Sequence, residues 1–176
     1  HRDLVYASYE DREMLLDLYL PAVKSEMLLP AIVVIRGGGW AHGDKEGFGP
    51  MAAALAKRGF AAASIEYRAS AEAVFPAAVE DTKAAVRWMR ANAAIYELDP
   101  DSIGAIGGSA GAHLALFLGV TADIREFEGD GGNAYLSSAV SAVVGLATPG
   151  DLGVMCGRQA ATAATAAFAS FLGATF

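Results

Sequence analysis

The sequence predicts an α/β protein: a mostly parallel sheet with helices on both faces, entered through an antiparallel hairpin. Three observations carry that prediction. Apolar runs recur in the manner of strands buried on both faces: AIVVI at residues 31–35, AAASIEY at 61–67, IGAIG at 103–107 and AVSAVVGL at 139–146. Helix-compatible segments long enough for crossover connections lie between them. A hydrophobic fraction of 54% over 176 residues suits one domain, residues 1–176, with a real core.

Each element has its own signal. Residues 4–9 and 14–20 read as a strand pair across EDRE, with Leu16, Leu18 and Leu20 alternating with Leu15, Asp17 and Tyr19. Pro21 and Pro30 bracket a polar connector to AIVVI. Pro50 opens a helix through MAAALAKRG, and Gly59 is its C-terminal stop. The next helix has Pro76 in its first turn, Glu80 and Asp81 near its positive end, and Arg87 and Arg90 late, as the helix dipole favours. Val79, Val86 and Met89 fall near a 3.6-residue period, so one stripe faces the sheet. DPDS at residues 99–102 reads as a turn into IGAIG, and residues 110–119 read as the helix that follows. The alanine-rich tail predicts a helix over about residues 158–172 on propensity.

Composition excludes several classes. The net charge of -7 is spread over short, interrupted acidic stretches, and the basic residues are scattered, so there is no footprint for nucleic acid or an anionic membrane. No apolar run approaches the roughly 20 residues a bilayer requires. Nothing near His1 resembles a signal peptide, which leaves a soluble protein of unassigned compartment. Cys156 is the only cysteine, excluding an internal disulfide and a cysteine-built zinc site, and it reads as buried packing. No cofactor-binding or metal-ligating pattern is present.

Chemistry concentrates in two motifs. Gly107, Gly108, Ser109, Ala110 and Gly111 fit G-x-S-x-G with a buried strand before and a helix after, the setting of a nucleophile elbow. Small neighbours let the serine turn sharply, expose its hydroxyl at the C-terminal edge of the sheet and place the Ala110 N–H at the positive end of a helix. The alternative is a glycine-rich turn with an incidental serine. The second motif, RGGGWAHGD at residues 36–44, follows the AIVVI strand and supplies unobstructed N–H groups for an oxyanion hole. A phosphate-gripping loop would need G-x-x-x-x-G-K-[ST] or G-x-G-x-x-G before a helix, and neither occurs.

Together with EYRAS and FPAAVEDTKAAVRWMRANAAIYELDPDSIGAIGGSAGAHLA, these motifs resemble the α/β-hydrolase-fold carboxylesterases, in the branch of hormone-sensitive lipase and bacterial acetyl and feruloyl esterases. The resemblance runs over nearly the whole chain. It implies an α/β-hydrolase fold, Ser109 as nucleophile, and Gly38, Gly39 and Ala110 as oxyanion-hole donors, with the Trp40 N–H as an extra one. It implies a lipase-like serine esterase that needs no cofactor or metal and acts on small-molecule esters with short or aromatic acyl groups, acylated plant carbohydrates among them.

Two departures shape the expectation. Arg36 stands where the family has histidine, either perturbing the glycine loop or as a tolerated variant. The acid and histidine of the triad follow the nucleophile in this fold, yet no histidine follows His113, so the chain corresponds to roughly the first two thirds of such a domain. His113 and His42 read as packing or loop-stabilising residues before they read as bases, and Asp151 as a turn or cap residue. The expected function is therefore serine carboxylesterase. A catalytically silent fragment or ligand-binding pseudoenzyme and an amide or formamide hydrolase are the alternatives. A missing neighbour would also leave the strand at residues 139–146 as an unpaired apolar edge inviting self-association, unless the tail covers it.

Overall fold

The computed structural model describes residues 1–10, 12–122, 124–153 and 163–173. Among them the strands are β1 (Leu4–Tyr9), β2 (Arg12–Tyr19), β3 (Leu29–Ile35), β4 (Ala61–Ile65), β5 (Leu98–Gly108) and β6 (Ala142–Leu146). They form one sheet in the order β1-β2-β4-β3-β5-β6. β1, β2 and β4 pair antiparallel, whereas β4, β3, β5 and β6 run parallel. The helices are α1 (Gly49–Ala56), α2 (Ala77–Ala91), α3 (Ala93–Tyr96), α4 (Ala110–Val120) and α5 (Ala163–Leu172).

The two-residue period of the central strands sorts their side chains into two layers. Val33 and Ile35 of β3, Ala63 and Ile65 of β4, and Ile103 and Ala105 of β5 point into the larger core, which α2 and α4 close with Val79, Val86, Met89 and Leu114. Val34 and Ala62 face the other way, against Ala52 of α1, with Met51 and Leu55 beside them. Burying one such aliphatic side chain stabilises the fold by about 1.5–3 kcal/mol. β4 is Ala-Ala-Ala-Ser-Ile, a poor strand by propensity, yet every residue in it is buried. Its place between β2 and β3 overrides the propensity by hydrogen-bonding both of its edges.

Buried charges tie the connections to this frame. Lys83 of α2, fully buried, donates to the Thr121 carbonyl at 2.6 Å and to Glu128 at 2.8 Å. Arg87, one turn on, donates to Glu128 at 2.8 Å and to the Gly132 carbonyl at 3.1 Å. The long excursion between α4 and β6 is thereby clamped onto α2.

Every strand after the first differs from expectation at one or both ends, β2 by spanning Arg12–Tyr19 and β3 by starting at Leu29, and the other three show their cause. DPDS is not a turn before the strand but part of β5, because Leu98 pairs with Leu29 and the Leu29 N–H donates to the Glu97 carbonyl at 2.8 Å. β4 ends at Ile65 instead of residue 67, since Arg68 is drawn away to Asp81, its N–H donating at 2.7 Å. β6 begins at Ala142 instead of residue 139, where Arg90 engages the Ala139 carbonyl at 3.0 Å. Cys156 and the start of the expected tail helix lie outside the described residues. β6 is the outer strand, with Val144 48% and Leu146 42% exposed. No helix among the described residues is long and apolar enough to cross a membrane.

Candidate active site

The C-terminal ends of β3, β4, β5 and β6 meet at one edge of the sheet, the usual place for a site in a parallel α/β fold. Ser109 lies there, exposed, between β5 and α4. Its backbone sits at φ 53° and ψ -120°, a conformation whose strain is on the order of 1–3 kcal/mol. The surroundings enforce it. A Cβ at Gly107 would stand 2.1 Å from the Gly111 carbonyl oxygen, and one at Gly111 would stand 2.2 Å from that of Ile35. Strand, turn and helix are packed too closely for side chains at those two positions.

The Ser109 N–H donates to the Leu146 carbonyl at 2.8 Å, which fastens the turn to β6, and the Ser109 carbonyl accepts the first helical bond from His113 at 3.1 Å. The serine hydroxyl does not cap the helix. Ala110, buried at the first position of α4, has one of the N–H groups that a helix start leaves without an internal acceptor.

The glycine loop leaves β3 beside this turn. Gly38, Gly39 and Trp40 all have positive φ, at 107°, 60° and 59°. A Cβ on Gly38 would fall 1.8 Å from the His42 carbonyl oxygen, so only glycine fits. The loop's carbonyls are turned inward. Gly38 accepts from Ala41 and His42 at 3.1 and 2.9 Å, Trp40 from the Ser70 N–H at 2.9 Å, and Gly37 from Arg36 at 3.2 Å. The N–H groups of Gly38 and Gly39 meet no acceptor among the described residues, which leaves a surface of free donors. The loop also touches the elbow, for the Cβ position of Gly37 lies 3.5 Å from the Cβ of Ser109.

Arg36 is buried, not splayed into solvent. Its guanidinium donates to the carbonyls of Gly37, His42 and Tyr67 and lies 3.9 Å over the Tyr67 ring. Tyr67 is the residue that sequence reasoning missed. Its one hydroxyl proton is shared between the carbonyls of Arg36 and Gly37, 3.3 and 3.4 Å away, and burial pushes its phenol above the ordinary range, against the pull of Arg36. The available signal was its place in EYRAS, just past the end of a buried strand at the same edge of the sheet.

The histidines are placed differently. His113 presents its ring to Trp40, Phe117 and Phe171 at 5.4, 5.4 and 5.9 Å. Its buried Nδ1 meets no hydrogen-bond partner among the described residues, and burial holds its pKa below the usual histidine value. His42 is exposed on the glycine loop, and His1 lies against Tyr96, two residues before β5 begins. Asp151 is exposed beyond β6. α5 lies over the loop, where Phe171 stacks on Trp40 at 4.9 Å, Phe168 tilts against it at 6.0 Å, and Ala167 reaches to 3.3 Å from the Cβ position of Gly39.

A strained serine between a central parallel strand and its helix, with a glycine loop from the neighbouring strand beside it, defines the α/β-hydrolase fold. The chain belongs to the BD-FAE family, which it matches over residues 16–176. It is 36% identical over 114 residues to the esterase LipQ of Mycobacterium tuberculosis, covering 64% of this chain and 27% of that protein. It is 30% identical over 139 residues to the esterase LipC of the same organism, covering 78% and 34%. The chain thus spans about a third or less of the curated relatives it matches.

Among solved structures, the truncated form of a carbohydrate esterase from gut microbiota superposes with a TM-score of 0.86 at 34% identity, over 98% of this chain and 65% of that one. The bifunctional GH43-CE of Bacteroides eggerthii gives 0.87 at 33%, over 99% and 24%. Esterase 2 of Thermogutta terrifontis, solved in butyrate-bound form, gives 0.72 at 31% in that form, over 83% and 52%.

Proposed function

We propose that this protein is a serine carboxylic-ester hydrolase that works through an acyl-enzyme at Ser109. The observation that carries the reading is the pairing of the strained, exposed Ser109 with a glycine loop whose carbonyls are turned inward and whose Gly38 and Gly39 amides meet no acceptor among the described residues. The Ser109 Oγ attacks the ester carbonyl carbon while its proton passes to a general base, in this fold a histidine backed by a carboxylate. The N–H groups of Gly38, Gly39 and Ala110 take the charge that develops on the carbonyl oxygen, and the Trp40 N–H adds to them. Collapse expels the alcohol, and water then releases the acid from the acylated serine.

The substrates in this reading are small-molecule esters with short or aromatic acyl groups, acetylated or feruloylated plant carbohydrate among them. The likeness to a carbohydrate esterase and to a butyrate-bound esterase supports that choice. A second reading, a silent ligand-binding relative, is favoured by one observation. His113, one turn along α4 from Ser109, has its ring packed among Trp40, Phe117 and Phe171. Steady-state hydrolysis of p-nitrophenyl acetate separates the two. The esterase reading expects turnover that Ser109→Ala reduces by several orders of magnitude, whereas binding of the acid product without turnover supports the silent relative. Faster turnover of a formamide than of the ester would move the assignment to amide chemistry.

A further inference from the structure

The direction of the Gly38 N–H has an identifiable cause. A trans peptide is planar, with its C=O and N–H pointing opposite ways, so whatever holds the Gly37 oxygen aims the Gly38 hydrogen. Two side chains hold that oxygen: Arg36 through Nη1 at 3.2 Å and Tyr67 through its hydroxyl at 3.4 Å. We propose that Arg36 and Tyr67 are the positioning pair of the oxyanion hole, gripping the Gly37 carbonyl from within so that the Gly38 amide faces the ester bound at Ser109. The proposal rests on the esterase reading of the site.

The rest of the geometry fits that task. Nη1 of Arg36 also donates to the His42 carbonyl, closing the turn that runs from Gly38, while Nη2 donates to the Tyr67 carbonyl at 3.2 Å. One guanidinium thus joins the start of the loop, its end, and the segment after β4. Three acceptors on separate segments are met by two nitrogens of one guanidinium fork, a reach that the compact ammonium of lysine lacks. Stacking on the Tyr67 ring fixes the remaining direction. Tyr67 in turn is held by its neighbours, for Arg68 is locked through its N–H and Nε onto Asp81, which is fully buried. The hydrogen bonds that the Arg36 guanidinium makes among the described residues all go to backbone carbonyls, those of Gly37, His42 and Tyr67.

The test uses Arg36→Met, Arg36→Lys and Tyr67→Phe in the whole protein with two readouts. In p-nitrophenyl acetate hydrolysis, Arg36→Met lowers kcat by about 30-fold or more, approaching the loss of an oxyanion donor, with KM within about threefold. Arg36→Lys recovers only part of the loss, and Tyr67→Phe gives a smaller drop of the same kind. In hydrogen exchange, the Ala41 and His42 amides, which are bonded to the Gly38 carbonyl, speed up by about tenfold in Arg36→Met while the sheet is unchanged. Wild-type kcat in folded Arg36→Met, or full recovery by lysine, overturns the proposal. Should wild type show no Ser109-dependent turnover, the esterase reading fails and exchange alone decides: unchanged loop exchange overturns the pair's role. If Arg36→Met does not fold, Arg36→Lys and Tyr67→Phe answer the same two questions.

Discussion

Gly38 and Gly107 show how little room this site leaves for a side chain. A methyl at Gly107 would meet the Gly111 carbonyl at 2.1 Å, backbone against backbone, so Gly107→Ala should destabilise by about 1–3 kcal/mol. At about 2–4 °C per kcal/mol for a chain of this size, calorimetry should register a drop of several degrees in Tm. Gly38→Ala, placed against the His42 carbonyl at positive φ, should displace a donor and lower kcat on the order of 100-fold, with a smaller change in KM. A kcat within twofold of wild type would remove Gly38 from the oxyanion hole. Both glycines were legible in the sequence, because a strand, a short glycine pattern and a helix follow one another along the chain. Tyr67 was not, since its meaning lies in contacts with Arg36 and Gly37, some 30 residues away. Arg36 was legible only as a substitution in a motif. Its burial and fork of carbonyl partners are tertiary facts.

At the scale of elements, the excursion between α4 and β6 depends on the buried pair of cations on α2. Burial of Glu128 pushes its carboxyl upward, but hydrogen bonds from Lys83 and Ser138 and the charges of Lys83 and Arg87 outweigh it and hold the pKa below the ordinary value. A depressed folded pKa gives stability that is present above the unfolded value, near 4.3, and is lost as pH falls through the folded one. Urea titrations should therefore show stability declining below about pH 4, and Glu128→Gln should flatten that limb. An unchanged slope in the variant would place the acid sensitivity elsewhere. Helix α5 makes a second prediction. Phe171 is 2% exposed and stacked on Trp40, so Phe171→Ala should cost about 3–5 kcal/mol, near 10 °C in Tm. The central strands were legible from their apolar runs, whereas the early start of β5 was hidden because its first residue is recruited by pairing with Leu29, a long-range contact.

At the scale of the whole sheet, β6 is the outermost strand among the described residues, and its Val144 and Leu146 are half exposed. An apolar edge of this kind pairs readily with another chain, so sedimentation should show the average mass rising with concentration, and Val144→Lys should suppress the rise. A constant monomer mass in wild type would contradict self-association through that edge. The alternation of strands and helices made the layered architecture legible, whereas the position of α5 over the glycine loop follows from aromatic packing that no local pattern encodes. Intact-mass analysis after exposure to a p-nitrophenyl phosphonate tests the assignment of Ser109 as the nucleophile. One adduct per chain is expected, mapped by peptide sequencing to Ser109 and absent from Ser109→Ala. An adduct on another residue, or none while wild type still hydrolyses p-nitrophenyl acetate, would contradict it.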